Sequence, residues 1–379
     1  MLDVYINGFG AFFPGPPVGN DEMETHLGRI GGKPSRYRPL VLRNNKITSR
    51  HYALDTAGVA QHSNASMAAA AVTAAVESSE LVLGDITYLA TATTLGDVLL
   101  PGLASHVHAE LKLGPIEIAS FQSVCTSSLM ALKSAYAQVR IGEHRAAAVA
   151  GSEFASRYFR PGFYEHVGND NGNGSGAAAE APFDAEFLRF TLSDGAGAVV
   201  LEGAPNARHL SLQIRWIDIR SFADRFLPSM LAGGAQDGDR LRFWGDYGDP
   251  IEAVRAGALM LTQDITRMRS MIPVWVSHFV ELVERGRIVI DEIDHVCCHY
   301  SSQSLRDETV KLLAAAGALI PQEKWFSNLT TRGNVGAASI FVLLEELTRV
   351  RTLEKGQKIL CNVPESGRAL NGLMLLEVA

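Results

Sequence analysis

Residues 76–92, VESSELVLGDITYLATA, and residues 283–299, VERGRIVIDEIDHVCCH, align without a gap at a constant offset of 207 positions. In each, the end of a helical pattern passes through a polar turn into a short run suited to a buried strand. A second correspondence lies further along. VRIGEHRAAAVA (139–150) follows the helix after Cys125, and VRTLEKGQKILC (350–361) follows the helix after Asn334. Two matching helix-to-strand transitions in the same order read as an internal duplication. The expected architecture is therefore α/β, built from a first half over 1–205 and a second over 206–379.

The elements around these stretches fit that plan. Strands are predicted at Val4–Phe9, Asp85–Ala92, Ile116–Phe121, Ala146–Ala150 and Gly195–Leu201 in the first half. Helices are predicted at Ser66–Glu80, Leu103–Lys112 and Thr126–Ile141, the last from apolar residues at helical spacing. The second half gives a largely helical Arg255–Arg285, with a break or kink at Pro273. A strand at Ile293–His299 and helices at Leu305–Ala316 and Ala337–Arg351 follow, before strands at Lys358–Val363 and Leu373–Val378. Asn169–Gly176 (NDNGNGSG) reads as a loop within an insertion spanning about 154–189.

Composition narrows the function classes. Over 379 residues, 47% hydrophobic and 20% charged content allows a large buried core rather than disorder. A net charge of −7 disfavours nucleic acid as a partner. No apolar run is long enough to span a bilayer, and the N-terminal stretch lacks a signal-peptide pattern. The four cysteines show neither zinc-site nor disulfide spacing, so no metal is expected. Free thiols suit a reducing compartment, and the expected location is cytoplasmic.

Three residues then stand out. Cys125 lies in FQSVCTSSLMAL, between a predicted strand and a predicted helix. Unpaired N–H groups at that helix start would favour thiolate and could form half of an oxyanion hole. His299 ends the strand in HVCCHYSSQ, at the rim where α/β folds place ligands. Asn334, in TTRGNVGAASIF, sits between Gly333 and Gly336 in a turn entering a helix, where it could equally be an N-cap. Packed face to face, the two halves would bring these junctions together. A Cys–His–Asn set suits acyl chemistry, with a nucleophile, a proton carrier and a neutral hydrogen-bond donor.

The motifs SVCTSSLMAL, GSEFASR, LSDGAGAVVLE and RGNVGAASI resemble those of β-ketoacyl-acyl-carrier-protein synthase III-type condensing enzymes. The resemblance spans nearly the whole chain and implies the thiolase fold, layered αβαβα, in a homodimer. It implies Cys125 as acyl acceptor, His299 and Asn334 as holders of the donor carbonyl, and Gly372 (in ALNGLML) as the second oxyanion N–H. It implies no cofactor, with substrates carried as acyl-carrier-protein or coenzyme A thioesters. Tyr300-Ser301-Ser302-Gln303 departs from the usual Ala-Asn pair after the histidine, which puts a chain-initiating role in doubt. Residues 31–55, GGKPSRYRPLVLRNNKITSRHYALD, further resemble the ketosynthases of dialkylresorcinol and stilbene pathways, which join a β-ketoacyl donor to an acyl acceptor and close a ring.

Glu153, in AGSEFASR, is the carboxylate expected to act as base if no CO₂ leaves the donor; a loop-bracing role is the alternative. Lys33, Arg36, Arg38, Arg43, Lys46 and Arg50 form a basic run without an acid, suited to docking an acidic carrier or coenzyme A. Arg220 and Arg225 are weaker candidates for that surface. The competing readings are a decarboxylative chain-initiating synthase, an acyltransferase to an alcohol or amine, and a non-catalytic partner subunit. The retained Cys125 disfavours the last, and Asn334 weighs against the acyltransferase, because an enolate stabiliser serves only carbon nucleophiles. A Cys–His protease is disfavoured by the duplicated pattern.

Overall fold

The computed structural model describes residues 1–167, 181–238 and 240–379. The loop expected at Asn169–Gly176 lies outside them. Among the described residues ten strands form one mixed sheet. They are β1 (Tyr5–Phe12), β2 (Tyr88–Thr93), β3 (Glu117–Gln122), β4 (Ala146–Glu153), β5 (Gly195–Glu202), β6 (Leu212–Ser221), β7 (His295–Cys298), β8 (Trp325–Phe326), β9 (Lys358–Glu365) and β10 (Leu370–Val378). The order across the sheet is β8-β7-β9-β10-β6-β1-β5-β4-β2-β3. Read outward from the centre, the first half runs β1, β5, β4, β2, β3 and the second runs β6, β10, β9, β7, β8. The orders are the same, and so are the parallel and antiparallel pairings along each half.

Six helices complete the repeat: α1 (Asn64–Glu77), α2 (Leu103–Leu111), α3 (Ser127–Ile141), α4 (Ile265–Glu284), α5 (Gln303–Ala315) and α6 (Ser339–Val350). Leu129 and Leu132 of α3 pack with Phe341 and Leu344 of α6 and with strand residues of both halves, forming the central core. The α1 and α2 helices cover the outer face of the first half, and α4 and α5 that of the second. The result is five layers, αβαβα, which is the thiolase fold. The two half-sheets join only through a short pairing, Tyr5↔Gln213 and Ile6↔Leu212.

Glycines let the central helix lie close to the sheet. A Cβ on Gly151 would stand 2.4 Å from the Ala337 carbonyl oxygen, and one on Gly197 would stand 2.9 Å from Phe341 Cβ. Any side chain there would lift the start of α6, and with it the Asn334 turn, off the strands.

Two expectations need correction. The helix expected over Arg255–Arg285 begins only at Ile265, where the Asp264 side chain caps it by accepting from the Arg267 N–H at 2.8 Å. Residues before it form a short helix at Pro250–Arg255 and a two-residue strand at Thr262–Gln263. Pro273 lies inside α4 without ending it, because it faces solvent, where water can satisfy the freed carbonyl. The second correction is β6, which was not expected. Leu212 and Ile214 are buried before a bulge at Arg215, and Ile217 is buried after it, so the inward face changes phase within a half-buried strand.

Candidate active site

Cys125, Glu153 and Asn334 line one pocket. His299 lines an adjoining pocket, and Ser301 and Ser366 border both. The three residues that sequence placed on separate junctions thus converge, with Glu153 among them. All four are buried.

Each is held by identifiable contacts. Asn334 is strapped to the first half, its N–H donating to Thr191 O at 3.2 Å and its carbonyl accepting from the Ser193 N–H at 2.8 Å. Its side-chain Oδ1 accepts from the Gly336 N–H at 2.9 Å, which fixes the amide and leaves Nδ2 as the free donor. That bond closes a turn over Val335 rather than capping a helix, since Val335 and Ala338 are the N-caps of the helical turns that follow. His299 follows β7, with its N–H bonded to Asn362 O at 2.9 Å. Its Nε2 is buried with no partner among the described residues. Burial lowers its pKa to about 4, so the imidazole is neutral at pH 7, and Nε2 donates or accepts according to its tautomer.

Glu153 ends β4. Its Oε1 accepts from the Thr94 N–H at 3.1 Å, the Thr94 hydroxyl at 2.6 Å and the Ala337 N–H at 3.0 Å. Burial outweighs these bonds and raises its pKa to about 7, where a carboxylate both gives and takes protons near neutrality.

The thiol of Cys125 behaves opposite to expectation. Burial raises its pKa well above the ordinary value, and the charges of Glu365 and then Glu153 raise it further. Two neighbouring N–H groups are already engaged, and the Cys125 N–H, which still favours thiolate, is outweighed. Glu365 Oε2 accepts from the Val124 N–H at 3.1 Å and the Thr126 N–H at 3.0 Å, while Oε1 accepts from the Ser123 hydroxyl at 2.6 Å. The helix start carries a carboxylate before any substrate arrives. Cys125 is thus a protonated thiol that a base must activate.

Sequence reasoning missed Glu365. The signal was present, since Glu153 and Glu365 end β4 and β9, two eight-residue strands of the repeat. Gly372 lies within β10, with a Cβ there meeting Leu129 Cδ1 at 2.7 Å and Thr126 Cγ2 at 2.9 Å. It does not line the Cys125 cavity, where Ser366 stands instead.

The basic run divides. Arg50 is fully buried and donates to Asn20 Oδ1 at 2.9 Å, so it cannot meet a partner at the surface. Arg38 pairs with buried Glu24 at 3.0 Å, and Arg36 lies over the Tyr37 ring. Lys33, Arg36, Arg43 and Lys46 are exposed. Arg220 is occupied by Glu281 at 2.5 Å and Asp218 at 3.3 Å, and exposed Arg225 pairs with Asp224 at 3.7 Å.

Two sequence families match the chain in the order the fold requires. Residues 47–207 match "Beta-ketoacyl synthase, N-terminal domain", and residues 283–374 match "3-Oxoacyl-[acyl-carrier-protein (ACP)] synthase III C terminal". The chain belongs to the β-ketoacyl synthase III-type condensing enzymes. It is accordingly an acyl-transferring enzyme of the thiolase superfamily. Solved structures share the fold over nearly the full length. A tetronic acid condensing enzyme is 22% identical with a TM-score of 0.75, covering 99% of both chains. The 3-oxoacyl-(acyl carrier protein) synthase III of Pseudomonas aeruginosa is 20% identical with a TM-score of 0.68, covering 99% of this chain and 98% of that one. OleA of Xanthomonas campestris is 18% identical with a TM-score of 0.74, again covering 99% and 98%. Among the described residues, no helix of this condensing enzyme is long and apolar enough to cross a membrane.

Proposed function

We propose that the enzyme takes an acyl group from a carrier thioester onto Cys125 and joins it to the α-carbon of a second thioester. In the first step a base removes the Cys125 proton, the sulfur attacks the thioester carbonyl, and the carrier thiol leaves with that proton. In the second, Glu153 removes an α-proton from the donor. The Asn334 Nδ2 and the Nε2–H of the neutral His299 imidazole donate to the enolate oxygen and stabilise it. The carbanion attacks the acyl carbonyl, a carbon–carbon bond forms, and the Cys125 thiolate departs and regains a proton from Glu153. The observation that carries this reading is the shared cavity of Cys125, Glu153 and Asn334, with unpartnered His299 beside it. Intact-mass analysis after incubation with acyl thioesters tests it. The wild type should gain one acyl mass and Cys125→Ala none; equal labelling of both would refute it.

Closure of a ring to a dialkylresorcinol precursor extends this reading and rests on the resemblance of residues 31–55. Its check is whether enzyme given β-ketoacyl and α,β-unsaturated acyl thioesters releases a cyclohexanedione or only an open chain. The substrates are proposed to arrive on acyl carrier protein or coenzyme A, in the cytoplasm. The enzyme is proposed to work as a homodimer through β3. That strand ends the sheet with an open edge, close in sequence to exposed Leu99 (80%) and Leu100 (85%). Light scattering at micromolar concentration should report a dimer, and Ile118→Lys should shift it toward monomer.

A further inference from the structure

Gln263 is 1% exposed and lines the Cys125 cavity, yet its Nε2 has no hydrogen-bond partner. Its backbone is fixed. Gln263 pairs with Met230 in a short antiparallel strand, and the next N–H, of Asp264, donates to Ser229 O at 2.7 Å. Leu188, Leu192, Met230 and Leu261 form an apolar cluster that also faces this cavity. A leucine or methionine at 263 would complete such a wall at no polar cost. An amide held there with an idle donor is costly until something supplies an acceptor.

Several other polar groups of the cavity are already engaged, and the free Asn334 Nδ2 belongs to the enolate end of the site. The Thr94 hydroxyl donates to Glu153, and the Ser193 hydroxyl accepts from the His51 N–H at 2.9 Å. Asn334 Oδ1 is bound to the Gly336 N–H. Gln263 is set among apolar neighbours and free to meet the part of an acyl chain that lies against them. We infer that Gln263 selects acyl chains bearing a hydrogen-bond-accepting oxygen, a keto or hydroxyl group, beyond the thioester carbonyl. This rests on the reading of the cavity as the acyl site of Cys125.

The test is the rate at which Cys125 gains mass from N-acetylcysteamine thioesters of decanoic acid and of oxodecanoic acids with the keto group moved along the chain. In the wild type, one keto position should react about tenfold faster than the plain chain, the worth of one hydrogen bond. In Gln263→Leu that ratio should fall to within about twofold, the hydrogen-bond term being gone. The melting temperature should not fall, since an unpaired buried amide has been removed; Gln263→Met serves if the leucine variant misfolds. Equal rates for every wild-type substrate, as an ordered water satisfying the amide would give, overturn the inference but leave Cys125 as acyl acceptor. So does a keto preference that survives in both variants. Failure of all thioesters to label Cys125 would sink the cavity reading and this inference with it.

Discussion

Glu153 and Glu365 each end a strand of one half and hold the helix start of the other. Glu153, at the end of β4, accepts from the Ala337 N–H at 3.0 Å, just before α6. Glu365, at the end of β9, accepts from the Val124 and Thr126 N–H groups, just before α3. The two glutamates are 212 positions apart, as are the first residues of α3 and α6, Ser127 and Ser339. The duplication thus crosses the molecule through two carboxylates. Only Glu153 of the pair lines the Cys125 cavity. The repeat has given one glutamate access to substrate and left the other as a brace.

Glu365→Gln separates the charge of that brace from its geometry. A glutamine oxygen can still accept from the two N–H groups, and its amide can donate to the Ser123 hydroxyl. The negative charge that raises the Cys125 pKa is gone. The thiol should therefore ionise at lower pH, and alkylation by iodoacetamide should show its midpoint shifted downward. Glu365→Ala should instead leave both N–H groups unpaired and cost about 2–4 kcal/mol of stability, measured by chemical unfolding. An unchanged alkylation profile in the glutamine variant would show that the thiol does not feel this carboxylate.

For Glu153, a pKa near 7 fixes the sign of a pH dependence. A base works only when deprotonated, so α-proton exchange from a donor thioester should rise with pH through about 7 and then level. Glu153→Gln should lose exchange while still becoming acylated at Cys125. Glu153→Asp should keep a slower exchange with a similar limb. Wild-type exchange that is flat between pH 6 and 8 would remove Glu153 from the proton transfer.

Gly336 links this chemistry to backbone shape. Its φ is +50°, and a Cβ there would lie 2.7 Å from Glu153 Oε1. Gly336→Ala should destabilise the fold by about 1–2 kcal/mol from the left-handed backbone alone. The displaced carboxylate should also slow α-proton exchange more than Cys125 acylation. Parallel measurement of both rates tests whether the effect is local to Glu153.

Much of this molecule is legible in the sequence because it is written twice. The 76–92 and 283–299 alignment placed β2 and β7 in equivalent positions, and the Cys125 and Asn334 junctions pointed to a common site. Charge hid the rest. The β6 strand escapes the sequence pattern because Arg215, Asp218 and Arg220 interrupt its apolar residues and a bulge at Arg215 breaks the two-residue period. Arg50 read as a surface cation because a linear sequence carries no burial. The raised pKa of Cys125 was invisible for a related reason: it depends on a carboxylate 240 positions away that occupies the helix start. Glu365 could have been found by carrying Glu153 through the repeat.

The division of the basic run gives a last prediction. Lys33, Arg43 and Lys46 are exposed, whereas Arg38 is tied to Glu24 and Arg50 is enclosed. If exposed cations receive an acidic carrier, their loss should slow association and the effect should fade with salt. The triple alanine variant should raise KM for a carrier-borne acyl group by about tenfold at low ionic strength, as removal of several steering charges does. The KM for an N-acetylcysteamine thioester, which has no carrier to dock, should stay within about twofold because only the steering charges change. Arg50→Met should behave differently, leaving Asn20 without its donor and shifting the melting temperature rather than the carrier KM. Equal KM increases for both thioesters in the triple variant would place these lysines and Arg43 in general folding rather than docking.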